Sequence, residues 1–125
     1  MSIIDKLIAS LKFKKSSEYI VNRINELNID LDSLEFSLGF ITNDTQDSIN
    51  YILLNECIEV ESDCKFSIAL IKGKINALKP VTTKQEEIKK EIIESSKSAE
   101  DKYTKVSADL HQLQLLDAVK LNATI

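Results

Sequence analysis

Two cysteines and one histidine are the side chains of this sequence best suited to metal or nucleophilic chemistry. Cys57 and Cys64 lie seven residues apart, and His111 is the single histidine. On one helix the cysteines would be about 10 Å apart, which is too far for a disulfide and does not give the close ligand pair of a zinc site. We therefore interpret both as reduced core thiols of a reducing compartment and predict no metal site.

Four carboxylates between residues 56 and 63 raise the question of an acid–base site. They point around a helix, and Val60 among them belongs to an apolar stripe, so a solvated surface explains them better. A di-iron bundle would need Glu-x-x-His elements, whereas Ala108 stands three residues before His111. The sequence also contains no glycine-rich phosphate loop and no serine or cysteine beside a base. We predict a non-enzymatic protein without catalytic residues, cofactor or small-molecule substrate.

Long helices are the elements predicted to position all of these side chains. The 125 residues include only two glycines and one proline, which leaves few turn signals. Apolar residues recur at alternating spacings of four and three over three heptads, a strong helical pattern. This heptad seam consists of Ile20, Ile24, Leu27, Leu31, Leu34, Leu38 and Ile41.

Two further apolar stripes predict two further helices. The first ends at Leu78, just before the lone Pro80, and the second follows a capping box formed by Thr83 and Glu86. Short connections make consecutive helices antiparallel neighbours. We expect one all-α domain over residues 1–125, an elongated up-down-up bundle with coiled-coil-like packing. Its three long helices are predicted at about 17–43, 46–79 and 83–122, after a short amphipathic helix at about 2–14.

The segment of residues 1–15 has an apolar face of its own, which we call the N-terminal face. Its members are Ile3, Ile4, Leu7, Ile8 and Leu11. They span an arc of about 140° on a helical wheel, and their centre lies roughly opposite the heptad seam. One straight helix could not bury both sides against the same partners. We therefore predict a break near residues 14–17, with Ser16 or Ser17 capping the next helix.

Two interpretations of the N-terminal face remain open. In the first, the face packs over the ends of the second and third long helices that the first long helix is too short to cover. The residues to be covered are Ile71, Ile75, Leu78, Ile88 and Ile92. In the second, it anchors the protein to anionic lipid headgroups as a peripheral membrane helix. The candidate membrane-binding residues are Ile3, Ile4, Lys6, Leu7, Ile8, Leu11, Lys12, Lys14 and Lys15. Burial or exposure of Leu7 and Leu11 distinguishes these two interpretations.

A second surface lies on the opposite side of the heptad seam, near the other end of the same helix. Antiparallel packing is expected to bring it together with apolar residues late in the chain. The predicted interaction residues are Ile29, Phe36, Phe40, Leu115 and Val119. Exposed together, they would form an association site for another protein or, first, for a second copy in a homodimer. The alternative is that residues 121–125 fold back over the phenylalanines.

Charge and hydropathy bound the partners and the location. The net charge is −4, and residues 16–63 hold one arginine against eleven acids, which argues against nucleic acid. The same acidity suggests a third possibility, an inhibitor or immunity-type protein that binds a basic partner. No apolar run approaches the roughly 18 residues of a membrane span, and Asp5 and Lys6 interrupt any secretory signal. We expect a cytoplasmic protein, or one peripheral on the cytoplasmic face of a membrane.

Overall fold

Three helices make up most of the chain. The computed structural model describes residues 2–43 and 46–124, and it describes the side chains of residues 2–41 and 49–116. Helix α1 spans Ile3–Leu38, α2 spans Tyr51–Asn76 and α3 spans Thr83–Thr124. The helices pack against one another around buried apolar clusters, so the predicted all-helical class is confirmed.

A short β-hairpin replaces the first turn predicted for the second long helix. Strands β1 (Thr42–Asn43) and β2 (Gln46–Ile49) pair antiparallel, with Thr42 opposite Ile49. Helix α2 therefore begins at Tyr51 and not at residue 46. Asn50 is its N-cap, because its side-chain oxygen accepts a hydrogen bond from the Leu53 N–H at 3.1 Å. The extended strand still delivers Ile49 to the core, where it is buried.

The connection between α2 and α3 runs over residues 77–82. The predicted capping box is displaced by one residue: the Thr82 hydroxyl accepts from the Gln85 N–H at 3.1 Å. The Gln85 side-chain oxygen accepts from the Val81 N–H at 2.8 Å, and its amide nitrogen donates to the Ser10 hydroxyl at 2.8 Å. One glutamine thus orders the start of α3 and attaches it to α1.

The predicted break near residues 14–17 is wrong, and so is the separate helix over residues 2–14. Helix α1 continues through this segment, and Ser17 is buried within it, donating a hydrogen bond to the Lys14 carbonyl at 2.9 Å. The physical reason is Phe13, which continues the heptad seam by one repeat before Ile20 and is only 3% exposed. Burial of this aromatic ring keeps the seam facing the core over the whole helix.

All seven residues of the predicted heptad seam are buried, as expected. One cluster joins Phe13 to Ile71 and Ile75 of α2 and to Ile92 of α3. We expected the N-terminal face to cover these side chains, whereas Phe13 is the residue of this part of α1 that joins their cluster. A second cluster lies toward the hairpin and includes Leu34, Leu38, Ile41, Ile49, Leu54, Cys57, Val106 and Leu110.

Polar side-chain contacts join each pair of the three helices. Along α1, the Tyr19 ring lies 5.8 Å from the Lys74 ammonium of α2, and Arg23 donates to the Ser67 hydroxyl at 3.3 Å. Between α1 and α3, the amide of Gln85 binds Ser10 and Lys102 pairs with Asp32. Between α2 and α3, Lys72 pairs with Glu100 at 2.5 Å.

Neighbouring positions of α1 are expected to respond very differently to truncation. Phe13→Ala should lower the free energy of unfolding by about 3–5 kcal/mol, because it empties a buried aromatic site. The matched variant Leu11→Ala, two residues away on the exposed side, should change it by less than about 0.5 kcal/mol. Urea denaturation followed by circular dichroism checks both variants. Equal losses would contradict the placement of Phe13 in the core.

Candidate functional site

The N-terminal face is exposed along its whole length. Leu7 is 59% exposed and Leu11 is 57% exposed, and Ile3, Ile4 and Ile8 are at least as open. The interpretation that packed this face over the helices now described as α2 and α3 is therefore wrong. The predicted phase is the reason: the face lies opposite the heptad seam, and because α1 does not break, burying the seam turns the face to solvent.

The second predicted surface lies on the same side of the same helix. At 100° per residue, Ile4, Leu11, Ile29 and Phe36 fall within about 40° of one another, all opposite the buried seam. Ile29 is 67% exposed and Phe36 is 70% exposed. We call this side the outer face of α1; it carries the N-terminal face at one end and Ile29, Phe36 and Phe40 at the other.

Phe36 and Phe40 form a pair at the end of α1. Their ring centroids are 4.9 Å apart and the ring planes are inclined by 57°, a favourable tilted geometry. Phe40 follows the helix, whose C-cap is Gly39, yet it stays beside Phe36 and is 60% exposed. We call Ile29, Phe36 and Phe40 the phenylalanine patch. Rings that contact each other and also face solvent offer apolar area with little ordering cost to a partner.

Two of the predicted interaction residues, Leu115 and Val119, come from the end of the chain. Leu115 is exposed on α3, opposite the stripe that buries Val106 and Leu110. A different residue, Leu116, lies with Leu38 along the shallow groove between α1 and α3. The side chain of Val119, and the residues 121–125 expected as an alternative cover, lie outside the described side chains.

Charge is distributed unevenly along the outer face. In the helix that bears this face, residues 2–15 have four lysines and one aspartate, whereas residues 26–38 have four acids and no base. On the edge next to α2, Lys12 and Lys15 line a groove with Lys74 and Ala77. Farther along that edge, Glu26 is bound by Arg23, and Arg23 in turn reaches Ser67 of α2. One edge of one helix thus changes from basic to acidic along its length.

The residues suited to covalent or metal chemistry lie away from this surface. Cys57 and Cys64 are free and buried, and His111 is exposed on α3. Burial, followed by the charges of Asp30, Asp63 and Glu61, raises the pKa of Cys64 to about 11, whereas a reactive thiol needs a lowered value. Over residues 2–43 and 46–124, no group of three or more His, Cys, Asp or Glu side chains is arranged to hold a metal ion.

A polar cluster between α2 and α3 has no counterpart in the sequence predictions. The Tyr103 hydroxyl donates to a Glu61 carboxylate oxygen at 2.5 Å, and the Ser107 hydroxyl donates to the same oxygen at 3.0 Å. Glu61 is one of the four acids that the sequence predicts to be solvated. No sequence signal distinguishes it from Glu59, because only the packing of α3 beside α2 brings the two hydroxyls to it.

Within the described helices, none has the length and hydropathy required to cross a membrane. Comparison of the chain with protein-family models, with curated proteins and with solved structures gives no significant match. Function must therefore be inferred from the exposure, spacing and charge of the described residues, above all on the outer face of α1.

Tyr103 should make folding stability sensitive to alkaline pH. Burial and the hydrogen bond to Glu61 raise its pKa from 10.0 to about 12. The folded state therefore favours the neutral phenol, so this contribution is complete below pH 10 and is lost as the pH rises through 12. Urea titrations from about pH 9 to pH 12 should show wild type losing more stability than Tyr103→Phe, with Tyr19→Phe as the exposed control. Parallel pH profiles for wild type and Tyr103→Phe would contradict this assignment.

Proposed function

We propose that this chain is a non-enzymatic self-association module whose copies bind one another through the outer face of α1. The observation that carries the proposal is the exposure of eight apolar side chains along one side of α1 and of the turn that follows it. They are Ile3, Ile4, Leu7, Ile8, Leu11, Ile29, Phe36 and Phe40. A standard interface removes about 800 Å² from each partner, and eight largely exposed apolar side chains supply an area of that order.

The rest of the chain would serve as the scaffold that keeps this helix straight. We infer an elongated up-down-up bundle with coiled-coil-like packing, as the heptad seam suggests. Contacts support this arrangement, since partners in α2 fall from Lys74 to Ser67 as α1 advances from Tyr19 to Arg23. The buried, free thiols of α2 support a cytoplasmic location.

A homodimer is the assembly we favour. Closed two-fold dimers are the commonest soluble oligomers, and an exposed helix side can be buried by its own symmetry copy without any other protein. Binding of a basic partner by the acidic part of the chain remains a prediction that rests on charge alone. It would use the acidic residues of the segment 16–63 and leave the N-terminal face uncovered, whereas self-association uses both ends of the outer face.

Sedimentation equilibrium tests self-association directly. Wild type is expected to reach twice the chain mass of 14.1 kDa at micromolar concentration. Leu7→Ser combined with Leu11→Ser should weaken association at least about 100-fold, because each copy loses two interface leucines. Phe36→Ser combined with Phe40→Ser should weaken it to a similar degree.

The matched control removes apolar area of the same kind from another helix. Ile52 and Phe66 of α2 are 76% and 73% exposed, and Ile52→Ser combined with Phe66→Ser should leave the association constant unchanged. A monomeric wild type up to hundreds of micromolar would refute self-association, and equal losses in control and test variants would refute the assignment to α1.

A peripheral membrane protein is the second candidate, and the exposed N-terminal face favours it. Lys14 and Lys15 follow Leu11 on the same side, while Lys6 and Lys12 line a groove of 810 Å³ that also includes Lys79. Aliphatic side chains surrounded by lysines suit the interface of an anionic bilayer, where each basic residue contributes about 1 kcal/mol.

Flotation with liposomes of phosphatidylcholine and phosphatidylserine separates the two candidates. If the second holds, wild type floats at low salt, and Leu7→Ser combined with Leu11→Ser stays in the dense fraction because the inserted side chains are gone. Phe36→Ser combined with Phe40→Ser is the control and should float like wild type. Wild type that remains unbound in low salt would eliminate the membrane candidate.

A further inference from the structure

We infer that two copies pair α1 against α1 in an antiparallel, two-fold arrangement, with the N-terminal face of each copy on the phenylalanine patch of the other. This inference rests on the proposed self-association and specifies its geometry. It follows from three properties of the outer face: matched spacing of the two apolar ends, a polar middle, and charges that are complementary only in the antiparallel direction.

The spacing of the two ends fits one register. If position i of one copy lies opposite position 40 − i of the other, Leu11 meets Ile29 and Ile4 meets Phe36. All four side chains are exposed, and all lie within the same narrow strip opposite the buried seam. Because a two-fold axis repeats each contact, the pairing covers Ile4, Leu11, Ile29 and Phe36 in both copies. An isologous interface of this kind needs only one self-complementary surface.

The middle of the outer face is polar and lies around the proposed axis. Glu18 and Asn22 are exposed and would lie opposite each other, as would Lys15 and Asn25. Polar residues at positions that face a partner helix lower affinity but fix register, since any shift places them against apolar side chains. Here a shift by one heptad in one direction would bring Ile29 opposite Glu18, and in the other direction it would bring Leu11 opposite Asn22, so an apolar side chain of each copy would face a polar one.

Charge selects the antiparallel direction. In a two-fold antiparallel pair, the edge next to α2 in one copy meets the same edge in the other. Along α1, that edge carries first Lys12 and Lys15 and then Glu26 and Asp30. Asp30 is assigned to this edge because its charge contributes to the raised pKa of Cys64 in α2. Lys15 would lie one residue from Glu26 of the other copy, and Lys12 two residues from Asp30, offsets of about 1.5 and 3 Å along the axis. A parallel pair would instead place lysines beside lysines and acids beside acids.

The acids of residues 26–38 favour a second copy of the chain, and not a bilayer, as the occupant of the outer face of α1. An anionic membrane would attract the lysines of residues 2–15 but repel the four acids of residues 26–38, which surround the phenylalanine patch. A second copy presents a basic, aliphatic surface to those acids and rings. It is thus complementary to both ends at once.

Disulfide trapping tests the geometry. Leu11→Cys and Ile29→Cys are prepared separately and mixed under mild oxidation; the native Cys57 and Cys64 are buried and should not compete. The mixture is expected to give a covalent dimer joined between positions 11 and 29, identified by peptide mass spectrometry. Each variant alone should stay largely uncrosslinked. Phe66→Cys, exposed on α2, is the control for random collision and should not crosslink with either.

The outcomes separate this geometry from self-association itself. Efficient self-crosslinking of Leu11→Cys, or a wild-type dimer without the 11–29 crosslink, would overturn the antiparallel pairing and leave the self-association module standing. A chain that is monomeric by sedimentation, with no crosslink in any mixture, would overturn both. A membrane-bound monomer that floats with phosphatidylserine liposomes would do the same.

Charge reversal provides an independent measurement. Lys15→Glu and Glu26→Lys should each weaken the homodimer about tenfold, because two like-charge contacts replace two ion pairs. In the mixed dimer, the glutamate introduced at position 15 of one copy lies near the lysine introduced at position 26 of the other. The native pair of Lys15 and Glu26 forms at the symmetry-related position. The mixed dimer should therefore return to within about threefold of the wild-type constant. Mixed samples as weak as the separate variants would overturn the proposed register.

Discussion

The phase relation between the two apolar sides of α1 is the constraint on which the rest of the structure depends. Both lie on one continuous helix, about half a turn apart, so only one can face α2 and α3. The heptad seam is longer and includes the ring of Phe13, and it is the side that is buried. Exposure of the N-terminal face follows from that outcome. The structure does not resolve the conflict with a break; it leaves five aliphatic side chains in water.

Much of the helical core can be predicted because its signal is local and repeated. Spacings of four and three locate the seam from Ile20 to Ile41, and all of it is buried. The same pattern continues toward the N-terminus, because Ser17 lies three residues and Phe13 seven residues before Ile20. The prediction of a break there rests on a pair of serines that resembles a helix cap. In the structure the hydroxyl of Ser17 binds the carbonyl of Lys14 within the helix, a role that the residue type alone does not reveal.

Other features depend on contacts between distant segments and could not be predicted from the sequence. The hairpin and the helix start at Asn50 depend on which backbone groups pair across the turn, and the N–H of Asn50 donates to the carbonyl of Ile41. Of the predicted interaction residues, Ile29 and Phe36 share the outer face of α1, as their spacing on one helix requires, and Phe40 follows the helix beside Phe36. Leu115 belongs to another helix, and its direction is predicted only through the assumed packing at the bundle end. Residues on one helix are located reliably, whereas surfaces shared between helices are not.

Phe13 and Leu11 stand two residues apart on α1, yet one is buried in the core and the other is open to solvent. Selection can therefore act on them separately. Substitutions on the outer side can alter which molecules the chain recognises while the free energy of folding stays nearly constant, and substitutions in the seam do the reverse. A helix arranged in this way can acquire a new partner, or lose an old one, through changes that a folding requirement would not eliminate. The capacity to diversify is thus a property of the half-turn offset in the sequence.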